Sequence, residues 1–249
     1  MENILFYKYV SIKDLEKLKS DLLNFCENEG LKGKILIASE GINGNLTGSK
    51  KQTESFIYYM KKDERFSDVD FKYGETNSHN FKRMLVKIRS EIISTRFGAD
   101  IRNKAPYIEP KELKQKLDKN DDIILVDTRN DYEYEVGHFK GALELPISTF
   151  QDFPEGVKSI ENLKNKTIVT YCTGGIRCEK ASAYLKQQGF KNVYQLHGGI
   201  VKYGEVVGGD HWEGKCFVFD ERGAIDLDKK KREKPVVADI SDLIPNKLN

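Results

Sequence analysis

Apolar and polar positions follow two different arrangements along this chain. At the front, Ile4 to Val10 is a short apolar and aromatic run read as a strand. Beyond it Leu15, Leu18, Leu22, Leu23 and Phe25 recur at helical spacing until Gly30, a glycine placed where helices commonly end. Ser11 with Asp14 three residues on is a weak capping box for that helix. Lys34 to Ser39 alternates as a strand, Gly41-Ile42-Asn43-Gly44 supplies turn chemistry and Asn45 to Thr47 resumes, which predicts a hairpin. Ser49 opens a second helix with Phe56, Ile57 and Met60 on its apolar face, and strands are expected at Val69 to Tyr73 and Met84 to Ile88. The order is βαββαβ with one extra strand, a ferredoxin-like α+β layout.

From Ile92 to Pro110 the periodicity fades, and Gly98, Pro106 and Pro110 punctuate the run, so the domain boundary is placed here. Farther on, apolar runs at Asp122 to Asp127, Ala142 to Leu145, Thr167 to Tyr171 and Val193 to Leu196 are separated by helical stretches, notably Cys178 to Gln188, closed by Gly189. Apolar strands alternating with helices predict a doubly wound parallel α/β domain covered on both faces. Reactive loops in such sheets sit at the carboxyl ends of strands.

Composition narrows the class without naming a function. With 39% hydrophobic and 32% charged residues in 249, the chain lies outside the disordered regime. A formal net charge of only +2 means that an anionic partner must be met by a local patch. There is no signal-like start and no apolar window long enough for a membrane span, so a cytoplasmic protein with no membrane partner is expected. Cys26, Cys172, Cys178 and Cys216 are too scattered for a disulfide scaffold, and with His79, His138, His197 and His211 they form no metal-ligand spacing. No metal site is expected, and no Gly-rich dinucleotide fingerprint or other cofactor motif is recognisable.

The chemistry concentrates at Cys172-Thr173-Gly174-Gly175-Ile176-Arg177, directly after the strand ending at Tyr171 and before a helix. A cysteine there meets backbone N–H groups and the positive end of a helix dipole, and both favour a thiolate. Gly174 and Gly175 permit the backbone angles that turn amides inward, and Arg177 is expected to add positive charge at the rim. Such a loop can stabilise a thiolate or a terminal persulfide sulfur. Cys178 reads either as a resolving thiol for Cys172 or as a small buried core residue. Asp127 and Arg129 are read as hydrogen-bonding loop residues near the site, and His138 as a turn and packing residue.

Val126-Asp127-Thr128-Arg129 with Glu133, then Gly137-His138-Phe139-Lys140-Gly141-Ala142 and Pro146, the Cys172 loop and His197-Gly198-Gly199 together resemble the rhodanese superfamily over about residues 107 to 212. A six-residue loop is similar to the sulfurtransferase type; the related dual-specificity phosphatases use a longer one. The resemblance extends further. The string from Cys172 to Ser182, the string from Val126 to Glu133, Trp212 to Arg222 and the hairpin from Gly33 to Gly44 look like the bacterial tRNA uridine(34) hydroxylase family, over about Leu5 to Ile225. On that basis the expected divisions are a ferredoxin-like, acylphosphatase-like domain over 1–92, a basic linker over 93–106, a rhodanese-like domain over 107–212 and a C-terminal extension over 213–249.

What the resemblance implies is oxygen-dependent 5-hydroxylation of the wobble uridine of tRNA, with Cys172 catalytic, and with molecular oxygen and an unidentified electron donor as co-reactants. The implied partner is the tRNA anticodon stem-loop, not DNA. Lys82, Arg83, Lys87, Arg89, Arg96, Arg102 and Lys104 then read as a phosphate-binding stripe, seven basic residues against the two acidic residues Glu91 and Asp100. Phe81, Phe97 and Tyr107 are candidates to stack an unpaired base. Many family members continue into a cysteine-rich tail, whereas here Lys229 to Lys234 follows, a solvated terminus or an auxiliary RNA contact, and no metal-binding tail is expected. Two other readings stand beside the hydroxylase: a persulfide-forming sulfurtransferase with a protein or small-molecule acceptor, and a non-catalytic rhodanese-like binding protein, against which the intact Cys172 and Arg177 argue.

Overall fold

The computed structural model describes residues 1 to 228, so the lysine run at 229–234 lies outside the described residues. The chain divides into two compact units, Met1–Ser94 and Thr95 onward.

The first unit runs β1 (Glu2–Tyr9), α1 (Leu15–Asn28), β2 (Lys32–Ala38), β3 (Gly41–Gly48), α2 (Lys50–Lys61), β4 (Lys72–Glu75) and β5 (Met84–Ile88). Its sheet has the order β4-β1-β3-β2-β5, antiparallel except for β5 beside β2, which is the ferredoxin-like βαββαβ arrangement with its extra strand at one edge. Strand alternation decides which face is covered. Ile4, Phe6, Ile35, Ile37, Ile42 and Leu46 point to one side and are buried with Leu18, Leu22 and Cys26 of α1 and Phe56 and Met60 of α2. The capping box at Ser49 forms as expected, with Gln52 returning the bond. The one at Ser11 does not. Asp14 occupies the cap position of α1 and makes no side-chain bond to the helix, because its carboxylate is held by Arg65.

In the second unit the elements are β6 (Tyr107–Ile108), α3 (Pro110–Asp118), β7 (Ile123–Asp127), α4 (Asp131–Val136), β8 (Gly137–Phe139), α5 (Phe153–Lys158), β9 (Thr167–Tyr171), α6 (Ile176–Gln187), β10 (Asn192–Leu196), α7 (Gly199–Val206), β11 (Trp212–Gly214), β12 (Cys216–Phe217) and β13 (Ala224–Ile225). Four of these strands form the expected parallel sheet, in the order β6-β10-β9-β7. Two details differ from the sequence reading. The run Ala142 to Leu145 shrinks to one parallel bridge, Leu143 with Val126, since Gly141 turns the chain just before it and Pro146 follows. The described part of the stretch after residue 212, to residue 228, is built into this unit: β11 pairs with β8, β12 with β13, and Cys216, Phe217 and Leu227 are buried. Among the described residues no helix is long and apolar enough to cross a membrane.

Candidate active site

Tyr171 ends the inner strand β9, and the chain turns through residues 172–175 before α6 starts at Ile176. The turn works because Gly175 takes φ +98°, a left-handed conformation that a side chain resists; of the two glycines expected to permit such angles, Gly174 does not use that region. The consequence is a nest of donors. The Gly175 N–H donates to Cys172 Sγ at 3.2 Å, the backbone N–H groups of Arg177 and Cys178 are directed at the same sulfur, and the Cys178 thiol donates to it as well. Burial by itself pushes the Cys172 thiol up. The Cys178 thiol, the Arg177 charge and the backbone donors outweigh it and lower the thiol to about 6.

Arg177 is not at the rim. Its guanidinium is buried and forked onto Glu133 of α4, with Nη1 donating to Oε2 at 2.6 Å and Nη2 to Oε1 at 2.8 Å. The pull of a fully buried carboxylate turns it inward, since neither charge can stand unpaired there. Glu133 is held in turn by the capping box of α4, where it accepts the Asn130 N–H. Burial raises the Glu133 carboxyl, and the charge and hydrogen bonds of Arg177 overcome this and keep it below its ordinary value. Glu133 is the functional residue the sequence reading passed over as one more polar motif residue. Its signal was the Asn-x-x-Glu box, which fixes the carboxylate at the first turn of α4.

A second support comes from below. The N-terminus of α7 donates from Ile200 to the Cys172 carbonyl at 2.9 Å and from Val201 to the Thr173 carbonyl at 3.0 Å. This approach needs Gly199, at φ +66°, because a Cβ there would lie 2.4 Å from the Cys172 carbonyl oxygen and 2.7 Å from the Gly175 nitrogen. That assigns a role to the His197-Gly198-Gly199 string. His197 itself bonds Glu109.

The remaining candidates are placed as follows. Asp127 and Arg129 form a buried two-pronged pair, and Arg129 Nη2 also donates to the Gly137 carbonyl at 2.6 Å, with its guanidinium over the rings of Tyr171 and Trp212. They tie the end of β7 to the β8 and β11 pair behind the loop. His138 stacks on Tyr134 and contacts its carbonyl. Cys178 is buried beside Thr128 Oγ1 at 3.7 Å, and burial, with the Cys172 sulfur next to it, pushes its thiol well up. Cys216 is buried against the Phe217 carbonyl, and burial raises it to about 12. Thr173 and Ile176 are the half-buried residues of the loop. Among the described residues no group of three His, Cys, Asp or Glu is placed to hold a metal ion.

The seven basic residues of the stripe differ in their surroundings. Arg102 is forked onto Asp100, and Lys104 is bound to Glu179 at 2.9 Å and to the Tyr107 hydroxyl at 2.8 Å. Lys104 thereby ties into α6 of the second unit, while the Arg102 side chain stays largely exposed. Arg96 is exposed, with a φ of +54°; Lys82 and Arg83 are exposed just ahead of β5, and Lys87 and Arg89 are exposed on or just after it. Phe97 is packed among Phe150, Phe153 and Tyr184; the Tyr107 hydroxyl is engaged with Glu179 while its ring stays exposed, and Phe81 is half-buried.

This geometry has a direct readout. The alkylation rate of Cys172 by iodoacetamide is expected to reach half its plateau near pH 6. Cys178→Ala removes a donor to the thiolate and so moves that midpoint to higher pH; an unmoved midpoint contradicts the assigned hydrogen bond.

Residues 1–92 match the family described as UPF0176 acylphosphatase like domain, and residues 109–205 match the Rhodanese-like domain. The chain is 47% identical over 234 residues to the tRNA uridine(34) hydroxylase of Bacillus licheniformis, an alignment covering 92% of this chain and 72% of that one. It is 48% identical over 232 residues to the protein of the same name from Staphylococcus epidermidis, covering 91% and 72%. The chain belongs to the tRNA uridine(34) hydroxylase family. The likeness to family members holds at 45% for the Oceanobacillus iheyensis protein over 234 residues, so it extends well beyond the rhodanese-like portion. The two domain matches leave residues 93–108 and those after 205 unassigned, yet Lys104, Tyr107, Trp212 and Cys216 all take part in the second unit of this family member.

Proposed function

We propose that this protein is a tRNA-modifying oxidoreductase that forms 5-hydroxyuridine at the wobble position, with Cys172 as its reacting group. The observation that carries the reading is the family relation across both units, taken with a lowered thiol in the one loop built to stabilise a sulfur anion. A wobble uridine lies in the anticodon loop, so the RNA part bound is the anticodon stem-loop, and a tRNA substrate places the protein in the cytoplasm. In chemical terms the Cys172 thiolate adds to C6 of the uracil, which moves an electron pair toward C5 and makes that carbon open to oxygenation. Molecular oxygen supplies one atom to C5 and the other leaves as water, so a donor must provide two electrons and two protons. Loss of the C5 proton and departure of the thiolate from C6 restore the ring. Gly175, Arg177 and Cys178 hold the sulfur anionic before addition and receive it again afterwards.

Nucleoside mass spectrometry of tRNA from a strain lacking the protein tests this. Nucleosides derived from 5-hydroxyuridine are expected to fall sharply and to return with the wild-type chain; an unchanged profile in a strain without a second pathway overturns the reading. The donor-lined loop also supports the sulfurtransferase reading, because the same N–H groups suit a persulfide. Rapid thiocyanate formation from cyanide together with unaltered tRNA nucleosides would favour it.

A further inference from the structure

The sheet of the first unit has a second face, turned away from α1 and α2, and its polarity is one-sided. Through the strand register, Lys34 of β2 shares that face with Leu36, Leu36 lies beside Lys87 of β5, and Arg89 follows Lys87 two residues on, still in the ladder through its N–H to the Ile37 carbonyl. Lys34, Lys87 and Arg89 are all exposed, and among the described residues none of the three is paired with a carboxylate. They are close enough to act on one another: packing around Lys34 lowers its ammonium, and the charges of Lys87 and Arg89 lower it further. The same face continues past Asn43 of β3, whose amide donates to the Ile92 carbonyl, to Tyr7 of β1, three strand spacings or about 14 Å from Lys87, where Lys72 adds a further positive charge over the Tyr7 ring. Tyr7 and Tyr9 are half-buried there with ring centroids 6.3 Å apart.

We propose that this face is a platform for the phosphate backbone of an unpaired segment of the RNA substrate, with Lys34, Lys87 and Arg89 meeting successive phosphates and the tyrosines at the far side offering aromatic surface to the bases. The proposal rests on the tRNA reading and gives it a location. Three neighbouring like charges without a counter-ion among the described residues are relieved by an anion that carries charge at intervals, and unpaired nucleic acid combines such charges with bases able to lie on an aromatic ring. Lys34 was not among the residues singled out in the sequence. It is 53 positions before Lys87, and only strand pairing brings the two together.

The test uses the full chain and unmodified tRNA. A triple variant Lys34→Gln, Lys87→Gln, Arg89→Gln is compared with Lys13→Gln, Lys51→Gln, Lys61→Gln, which removes the same charge from exposed positions on or near the helices. For the first, affinity at 0.1 M salt is expected to fall on the order of 100-fold, and the slope of log K against log salt to drop by about 2, from a slope near 0.7 per phosphate of a single strand. The second is expected to stay within about threefold of wild type, since charges beyond a Debye length of roughly 10 Å are screened. The pH midpoint of Cys172 alkylation should be unchanged in both. Equal weakening by the two triples, or an unaltered salt slope in the first, overturns the platform while leaving the hydroxylase reading in place. Failure of the wild-type chain to bind tRNA more tightly than an acidic polypeptide of similar charge removes the tRNA reading on which the platform stands.

Discussion

Cys172→Ser is expected to abolish formation of 5-hydroxyuridine in tRNA while leaving the second unit folded. The serine hydroxyl can still accept the Gly175 N–H that now meets the sulfur, so the turn into α6 is retained. What disappears is the anion, because a hydroxyl does not ionise in the range where this thiol does. Activity measured as 5-hydroxyuridine restored to a deletion strain should fall to background, with the circular dichroism spectrum unchanged. Full or partial restoration by the serine variant would remove Cys172 from the chemistry. A stability measurement separates the loss of the anion from incidental damage. The folded thiol titrates near 6 against an ordinary value of 9, so between those limits the unfolded chain holds more protons and stability rises with pH. That contribution is complete above pH 9 and lost as pH falls through 6. The advantage of wild type over Cys172→Ser should therefore grow from pH 6 to pH 9.

Glu133→Gln is expected to destabilise the second unit by about 3–5 kcal/mol, the range for stranding one charge of a buried pair. The amide keeps the shape and one acceptor but leaves the Arg177 guanidinium buried without a counter-charge. Trp212 is the single tryptophan and lies in this unit, packed edge-on to Phe139, so its fluorescence during urea unfolding reports this unit directly. A shift of less than 1 kcal/mol would show that the pair matters little. The double change Glu133→Leu, Arg177→Met replaces both charges with apolar groups and should recover much of the stability. It should not recover the low alkylation midpoint of Cys172, because the Arg177 charge is among the influences that lower that thiol.

Both fold classes were readable from periodicity because the strands of the first unit bury alternate residues, whereas the inner strand of the second is buried on both faces and so is continuously apolar. Ile4 and Phe6, or the apolar run from Thr167 to Tyr171, declare themselves by spacing alone. The Cys172 loop was readable as well, since its glycine and its place between strand and helix are local in sequence. What could not be read was the outcome of competition between distant groups. Ser11 lost the cap of α1 to Asp14, whose carboxylate Arg65 claimed from 51 residues away. Arg177 looked like a surface charge until Glu133, 44 residues upstream, drew it inside. The basic residues from Lys82 to Lys104 divide for the same reason: sequence proximity grouped Arg102 and Lys104 with Lys87, whereas their acids, Asp100 and Glu179, set them apart.

The stretch from Lys104 to Ile108 holds a consequence for how this family can vary. It reads as a connector, yet Tyr107 and Ile108 form the edge strand of the parallel sheet, Lys104 and the Tyr107 hydroxyl engage the buried Glu179 of α6, and Ala105 exchanges hydrogen bonds with Ser182 and Gln195. Two elements of the second unit, α6 and β10, are thus registered by five residues that precede its domain match. Insertions or deletions should not be tolerated within this short span, where a shift of one residue would turn Tyr107 away from α6 and leave an acid stranded on the helix that carries the reactive loop.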